Sequence, residues 1–146
     1  MKNSFKLIIL ALFISTTLMG CAVNRATGSV DPKTNLLALK SMHVKKNPSD
    51  DSNINILIAD KLRSKGITVT TEPEVSSSNI DATVTYIDKW MWDITMYLLE
   101  LTITIRDPKT DFPLATRNSY HTSLTRLSPK EMVDEVINNI YKGTQK

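Results

Sequence analysis

Cysteine is almost missing from this chain: Cys21 is the only one in 146 residues. No disulfide can form within the chain, and its folded part has no thiol for catalysis or for a metal. Glycine is scarce as well. The four glycines are Gly20, Gly28, Gly66 and Gly143, placed by the pattern in a leader, a polar linker and two helix ends. None is left for a phosphate-cradling loop, a dinucleotide turn or a nucleophile elbow. Histidine occurs twice, as His43 and His121, on different predicted strands. A zinc site needs at least three protein ligands, and no spacing selects Asp88, Asp93 or another acid as the third. The pair reads as edge or surface histidines. Asp50-Asp51-Ser52-Asn53 lacks the turn glycine and distal glutamate of a calcium loop and reads as helix capping. No spacing supports a Ser-His-Asp arrangement. The expectation is a protein with no cofactor and no metal, and not an enzyme.

Charge of one sign is also missing. Lys and Arg total 18 against 15 Asp and Glu, a formal net charge of +3. That excludes a strongly basic nucleic-acid binder. No apolar run is long enough to span a membrane. The longest, Leu7–Leu18, is diluted by Ser15, Thr16 and Thr17, and a spanning helix needs about 20 apolar residues. It follows Lys2 and Lys6, with no acid before it, and is the right size for the core of a secretory signal.

The run leads into Leu18-Met19-Gly20-Cys21, which resembles the lipobox of bacterial lipoproteins. The resemblance implies cleavage between Gly20 and Cys21, acyl chains on the sulfur and the new amino terminus of Cys21, and anchoring in a membrane. Two or three chains hold stably where one holds marginally, at about 0.8 kcal/mol per buried CH₂. Ala22 stands where the Asp of inner-membrane lipoproteins would be, so the resemblance further implies the outer membrane of a Gram-negative cell, with the domain in the periplasm. Losing residues 1–20 takes two lysines and no acid. The remaining chain fits one domain able to bury a core without staples.

The expected organisation is a signal at 1–20, a lipidated cysteine and flexible tether at 21–36, and one domain at 37–146. The tether is polar, with Gly28, Ser29, Asp31 and Pro32. A first strand is predicted over 37–45. A helix follows over 52–65, where Ile54, Leu57, Ile58 and Leu62 fall on one face, started by Asp50 or Asp51 and ended by Gly66. A strand at 67–72 stops at Pro73. Ile80, Ala82, Val84 and Tyr86 alternate with polar residues, as do Tyr97, Leu99, Leu101, Ile103 and Ile105, the mark of strands with one buried face. Asp107–Asp111 is a turn, and a strand over 114–123 follows. Ser128-Pro129-Lys130-Glu131 is a capping box with Pro at the first helical position, opening a helix that buries Met132, Val133, Val136, Ile137, Ile140 and Tyr141. The order β-α-β-β-β-β-α predicts an α+β two-layer sandwich, mainly antiparallel, with both helices on one face.

One segment breaks the pattern. Trp90-Met91-Trp92-Asp93-Ile94-Thr95-Met96-Tyr97 joins the two best strands, where a turn normally uses Gly, Asn, Asp or Pro. Parity puts Met91, Met96 and Leu98 on the otherwise threonine-rich face. Two readings compete. The tryptophans can wrap under the sheet and cap the core, each burying about 200 Å². Alternatively Trp90, Met91, Trp92, Ile94, Met96 and Leu98 form an exposed patch for a protein partner or the membrane surface, since Trp, Tyr and Met are enriched at interface cores. One buried tryptophan with exposed neighbours satisfies both.

The run at 90–97, together with Ile105-Arg106-Asp107-Pro108-Lys109-Thr110, Tyr120-His121-Thr122-Ser123-Leu124 and the start at Ser128, resembles a family of small, uncharacterised proteobacterial envelope lipoproteins. That resemblance supplies no activity or catalytic residue. The layout is also similar to that of periplasmic lipoproteins that assist envelope assembly, such as the lipopolysaccharide-transport lipoprotein. The expected function is a non-enzymatic outer-membrane lipoprotein that binds an envelope protein through the hairpin around Trp90–Tyr97. The alternative is a small-ligand or lipid carrier with Trp90 and Trp92 at the mouth of a groove.

Overall fold

The computed structural model describes residues 24–73 and 79–143. The expected signal and the lipid site at Cys21 lie outside the described residues. Six strands form one sheet: β1 (Asn24–Val30), β2 (Ser41–Val44), β3 (Thr68–Thr70), β4 (Ala82–Asp93), β5 (Thr95–Arg106) and β6 (Pro113–His121). Two α-helices, α1 (Ile54–Arg63) and α2 (Pro129–Lys142), complete the fold. Across the sheet the order is β1-β6-β5-β4-β2-β3. The β1–β6, β6–β5 and β5–β4 pairs are antiparallel, and β2 runs parallel to both β4 and β3. α1 lies over β2 and β3, α2 lies over β5 and β6, and the helices pack on each other. This is the α+β sandwich with both helices on one face.

The helices form where the apolar stripes dictate. Ile54, Ile58, Ala59 and Leu62 of α1 and Met132, Val133, Val136, Ile137 and Ile140 of α2 are buried. They meet Val84, Leu101, Ile103 and Ile105 of the sheet in one continuous core. The capping box of α2 is complete: Ser128 N–H donates to Glu131 at 2.8 Å, and the Ser128 hydroxyl accepts from Glu131 N–H at 3.3 Å. α1 starts differently. Asn53 adopts a left-handed conformation without a side-chain cap, and the work passes to Asp50. Its carboxylate accepts from Ser52 N–H at 2.9 Å and Asn55 N–H at 3.2 Å. Gly66 supplies the left-handed residue beyond α1, at φ +82.

The polar segment expected as a tether is corrected by the structure: Asn24–Val30 is an edge strand paired along its length with β6, from Asn24 opposite His121 to Val30 opposite Ala115. Its residues are polar because an edge strand over a half-wet sheet has little to bury. Gly28 belongs to that pairing. It sits at φ +155, and a Cβ there would lie 2.1 Å from the Thr116 carbonyl oxygen, so no other residue permits so close an approach. The strand expected over 37–45 is shorter. Leu36–Ala38 is a 3-10 turn that drops Leu36 into the core before β2 begins.

Candidate functional site

β4 and β5 pair from Thr83–Arg106 up to Asp93–Thr95. β6 accompanies β5 only as far as Glu100, and β2 pairs with β4 only near its start. The last four pairs, Trp90–Leu98, Met91–Tyr97, Trp92–Met96 and Asp93–Thr95, therefore stand beyond the sheet as a two-stranded ribbon. Four residues of strand project about 13 Å. An isolated hairpin of this size is marginal in water, so something must hold it.

Its base is held by the core. The register shifts between Lys89 and Trp90, where Lys89 faces Glu100 but Trp90 faces Leu98. Leu99 is the extra residue of a β-bulge. From there to the tip the parity of β5 is inverted, since one inserted residue exchanges the faces. Leu98, expected on the open face as a contact residue, instead points into the core and is fully buried. Trp90, across from it, is half-buried against the same core and donates its indole N–H to Asp88 at 2.8 Å. Neither residue is part of an exposed patch.

Tyr97 moves to the other face, opposite Met91. It is buried outside the main core, under the guanidinium of Arg126, which lies 5.0 Å from the ring centroid. The same guanidinium donates to the Thr95 hydroxyl at 2.9 Å. Arg126 follows the short 3-10 turn Ser123–Thr125 and clamps the ribbon from the side.

The rest of the ribbon is bare. Nine large hydrophobic side chains are exposed among the described residues, and five are on this hairpin: Ile87, Met91, Trp92, Ile94 and Met96. Trp92 is 69% exposed and Ile94 86%. Leu124, on the adjoining turn, is 80% exposed. Ile94 also holds φ +58, a left-handed conformation unfavourable to a β-branched residue by about 1–3 kcal/mol. Water rewards neither choice. Of the six expected contact residues, the structure exposes Met91, Trp92, Ile94 and Met96 together. Tyr97, Leu124 and Arg126 also belong to this end. No sequence signal exposed the role of Arg126, because the loop 122–128 meets β5 only through the fold.

The two histidines do not meet. His43 is buried on the open face of the sheet, with its Nδ1 3.3 Å from the Thr70 hydroxyl. Burial, with a further contribution from Lys45, pushes its pKa below the ordinary value despite an opposing hydrogen bond with the Thr70 backbone. His121 is buried under α2, where Nδ1 lies 2.9 Å from the Thr125 carbonyl and Nε2 2.9 Å from Glu135. The Ser119 hydroxyl donates to the other Glu135 oxygen at 3.0 Å. Here the carboxylate stands between serine and histidine, so no imidazole faces the hydroxyl. The group ties α2 and the loop carrying Arg126 to the sheet. Among the described residues no three His, Cys, Asp or Glu side chains are gathered as metal ligands.

At the opposite end of the sheet, an apolar cleft of about 450 Å³ opens between Leu36, Leu39, Ile67 and Tyr141, with Lys40 and Lys65 at its rim. Neither Trp90 nor Trp92 lines it.

No protein-family model and no curated protein sequence matches this chain. Solved structures do resemble it. Two PelC dodecamer structures from Paraburkholderia phytofirmans, one of them a point variant, are 12% and 14% identical to this chain, with TM-scores of 0.56 and 0.58. Each match covers 84% of this chain and 98% of PelC. TolB from Acinetobacter baumannii is 13% identical with a TM-score of 0.50, over 84% of this chain and 32% of TolB. At these identities the likeness is one of fold.

Proposed function

We propose that this protein is a non-enzymatic lipoprotein of the outer membrane, anchored through acyl chains on Cys21 with its domain in the periplasm, and that it docks on another envelope component through the ribbon at 90–98. The observation that carries the reading is the concentration of exposed Met91, Trp92, Ile94 and Met96 on one projecting hairpin, in a fold that had core positions to offer and used them for Trp90 and Leu98. A contiguous exposed apolar patch marks an interaction site. Trp and Met fit a protein groove and a lipid surface alike. The PelC structures of the same fold are dodecamers, so a second copy of this chain is a further occupant that tests must distinguish.

The carrier reading is favoured by one observation, the apolar cleft between Leu36, Ile67 and Tyr141. That cleft is remote from the tryptophans, and lipid found by mass spectrometry in gently purified protein tests this reading.

Met91→Glu with Met96→Glu tests the docking reading. Both side chains are exposed, so the double variant is expected to keep its thermal midpoint within a few degrees and to lose association with the envelope component, measured by co-purification from crosslinked cells. Loss of folding in the variant would return these residues to the core and contradict the reading.

A further inference from the structure

We infer that the component on which the ribbon docks is the membrane bilayer beside the protein's own lipid anchor, with the tip from Met91 to Met96 seated among headgroups and upper acyl chains. This inference rests on the reading above, of an anchored lipoprotein whose ribbon is its docking surface, and supplies the occupant.

Direction carries the argument. The chain enters the sheet at Asn24, which pairs with His121, and His121 is the last residue of β6. One residue before it, Tyr120 pairs with Glu100, which pairs in turn with Lys89. Asn24 is thus at the end of the sheet from which the ribbon projects, about 3 Å above the Lys89–Glu100 row. The Asp93–Thr95 pair lies four residues beyond that row, so the tip stands about 10 Å above Asn24. Cys21 lies three positions before Asn24, a reach of at most about 10 Å when extended. The acyl-bearing residue and the tip can lie at one level, while β1 and β5, with only β6 between them, are about 10 Å apart laterally. A protein anchored at Cys21 can therefore set its tip against the same bilayer, where a soluble partner would have to enter between them.

The chemistry of the tip fits that level. Aromatic residues such as Trp favour the headgroup zone, and aliphatic groups lie deeper, about 5–10 Å into the boundary. Trp92 flanks the tip, Ile94 forms it, and Met91 and Met96 stand on the pairs just below it. Arg126, exposed beside Thr95, is the cation at the height of the phosphates. Asp93 is the one carboxylate on the four terminal pairs, on the shoulder next to Ile94. Acyl chains alone keep a protein on the membrane but leave it free to swing. The second contact fixes the domain upright, with the Leu36–Tyr141 cleft facing away from the bilayer.

The test uses the processed, acylated protein reconstituted in vesicles of phosphatidylethanolamine and phosphatidylglycerol, with either ordinary or dibrominated acyl chains. Bromine quenches only indoles that reach the lipid. Tryptophan emission is expected to fall about twofold in the brominated vesicles, and Trp92→Phe, which leaves Trp90 in place, is expected to remove most of that quenching. Equal emission in both vesicles overturns the inference, as does quenching that persists undiminished in Trp92→Phe of unchanged thermal midpoint. A photoreactive residue at position 94 in cells then separates the failures. A discrete protein adduct, or one at twice the mass of this chain, overturns the bilayer as occupant and keeps the docking surface. No adduct at all removes both.

Discussion

Leu98→Ala is expected to cost the fold about 3 kcal/mol or more, while Met96→Ala, two residues away on the same face of β5, changes stability by less than about 0.5 kcal/mol. Leu98 is fully buried and belongs to the continuous core, so its truncation loses transfer energy and opens a cavity. Met96 is 59% exposed, on the ribbon that runs on beyond the pairing with β6 and β2. The contrast depends wholly on the bulge at Leu99. Without it, Leu98 would lie on the open face and the two substitutions would both be mild. Urea denaturation of the two variants, compared with the parent protein, reads the difference. Equal and small effects would contradict the bulged register.

Asp50→Ala is expected to remove about 3 kcal/mol, because it strips the partners from several buried groups at once. Asp50 is 2% exposed. It accepts the Tyr86 hydroxyl at 2.6 Å and the N–H groups that start α1. Burial disfavours its charge, yet the Tyr86 hydroxyl and those N–H groups outweigh burial and hold the carboxyl below the usual range. Burial and the carboxylate together push the Tyr86 hydroxyl well above its ordinary value. The sign follows from linkage. A carboxyl whose folded pKa is depressed contributes stability that is full above its unfolded value, near 3.8, and is lost as the pH falls through the folded value. Asp50→Asn keeps an acceptor for Tyr86 without a titrating group, so its stability should fall less steeply below pH about 4. His43, also depressed, acts with the same sign in a separate window: its contribution is present above about 6.5 and declines below it. Stability curves against pH for Asp50→Asn and the parent check this; parallel acid limbs would contradict it.

Much of the fold was legible because local and tertiary preferences agree. Ser128, Pro129 and Glu131 specify a helix start that needs no tertiary help, and the apolar stripe of α2 falls on one side. The alternation of Val84 and Tyr86, and of Leu101, Ile103 and Ile105, names the buried face of the longest strands. Three features were not legible. β1 has too few apolar residues to announce itself, since its pairing with β6 is made by backbone groups and by the close approach at Gly28. The bulge at Leu99 leaves no periodicity mark, as Leu98 and Leu99 are chemically alike and only the register tells which is buried. Asp50, read as a helix cap, does cap α1, but its bond to Tyr86 spans 36 positions in sequence and exists only in the folded chain. At the candidate site the residue types were visible as a group. Their division into Trp90 and Leu98 inside, and Met91, Trp92, Ile94 and Met96 outside, follows from the bulge and from the ribbon's projection beyond β6.

The central claim is that the tip of this hairpin faces a component of the envelope in the cell. The most direct measurement places a photoreactive residue at Ile94, the most exposed of the large hydrophobic side chains, and identifies by mass what it captures in living cells. The account predicts a lipid adduct that disappears when Trp92 and Met96 are made acidic in a protein that still folds and localises. A correctly localised, folded protein that captures neither lipid nor protein from this position would contradict it.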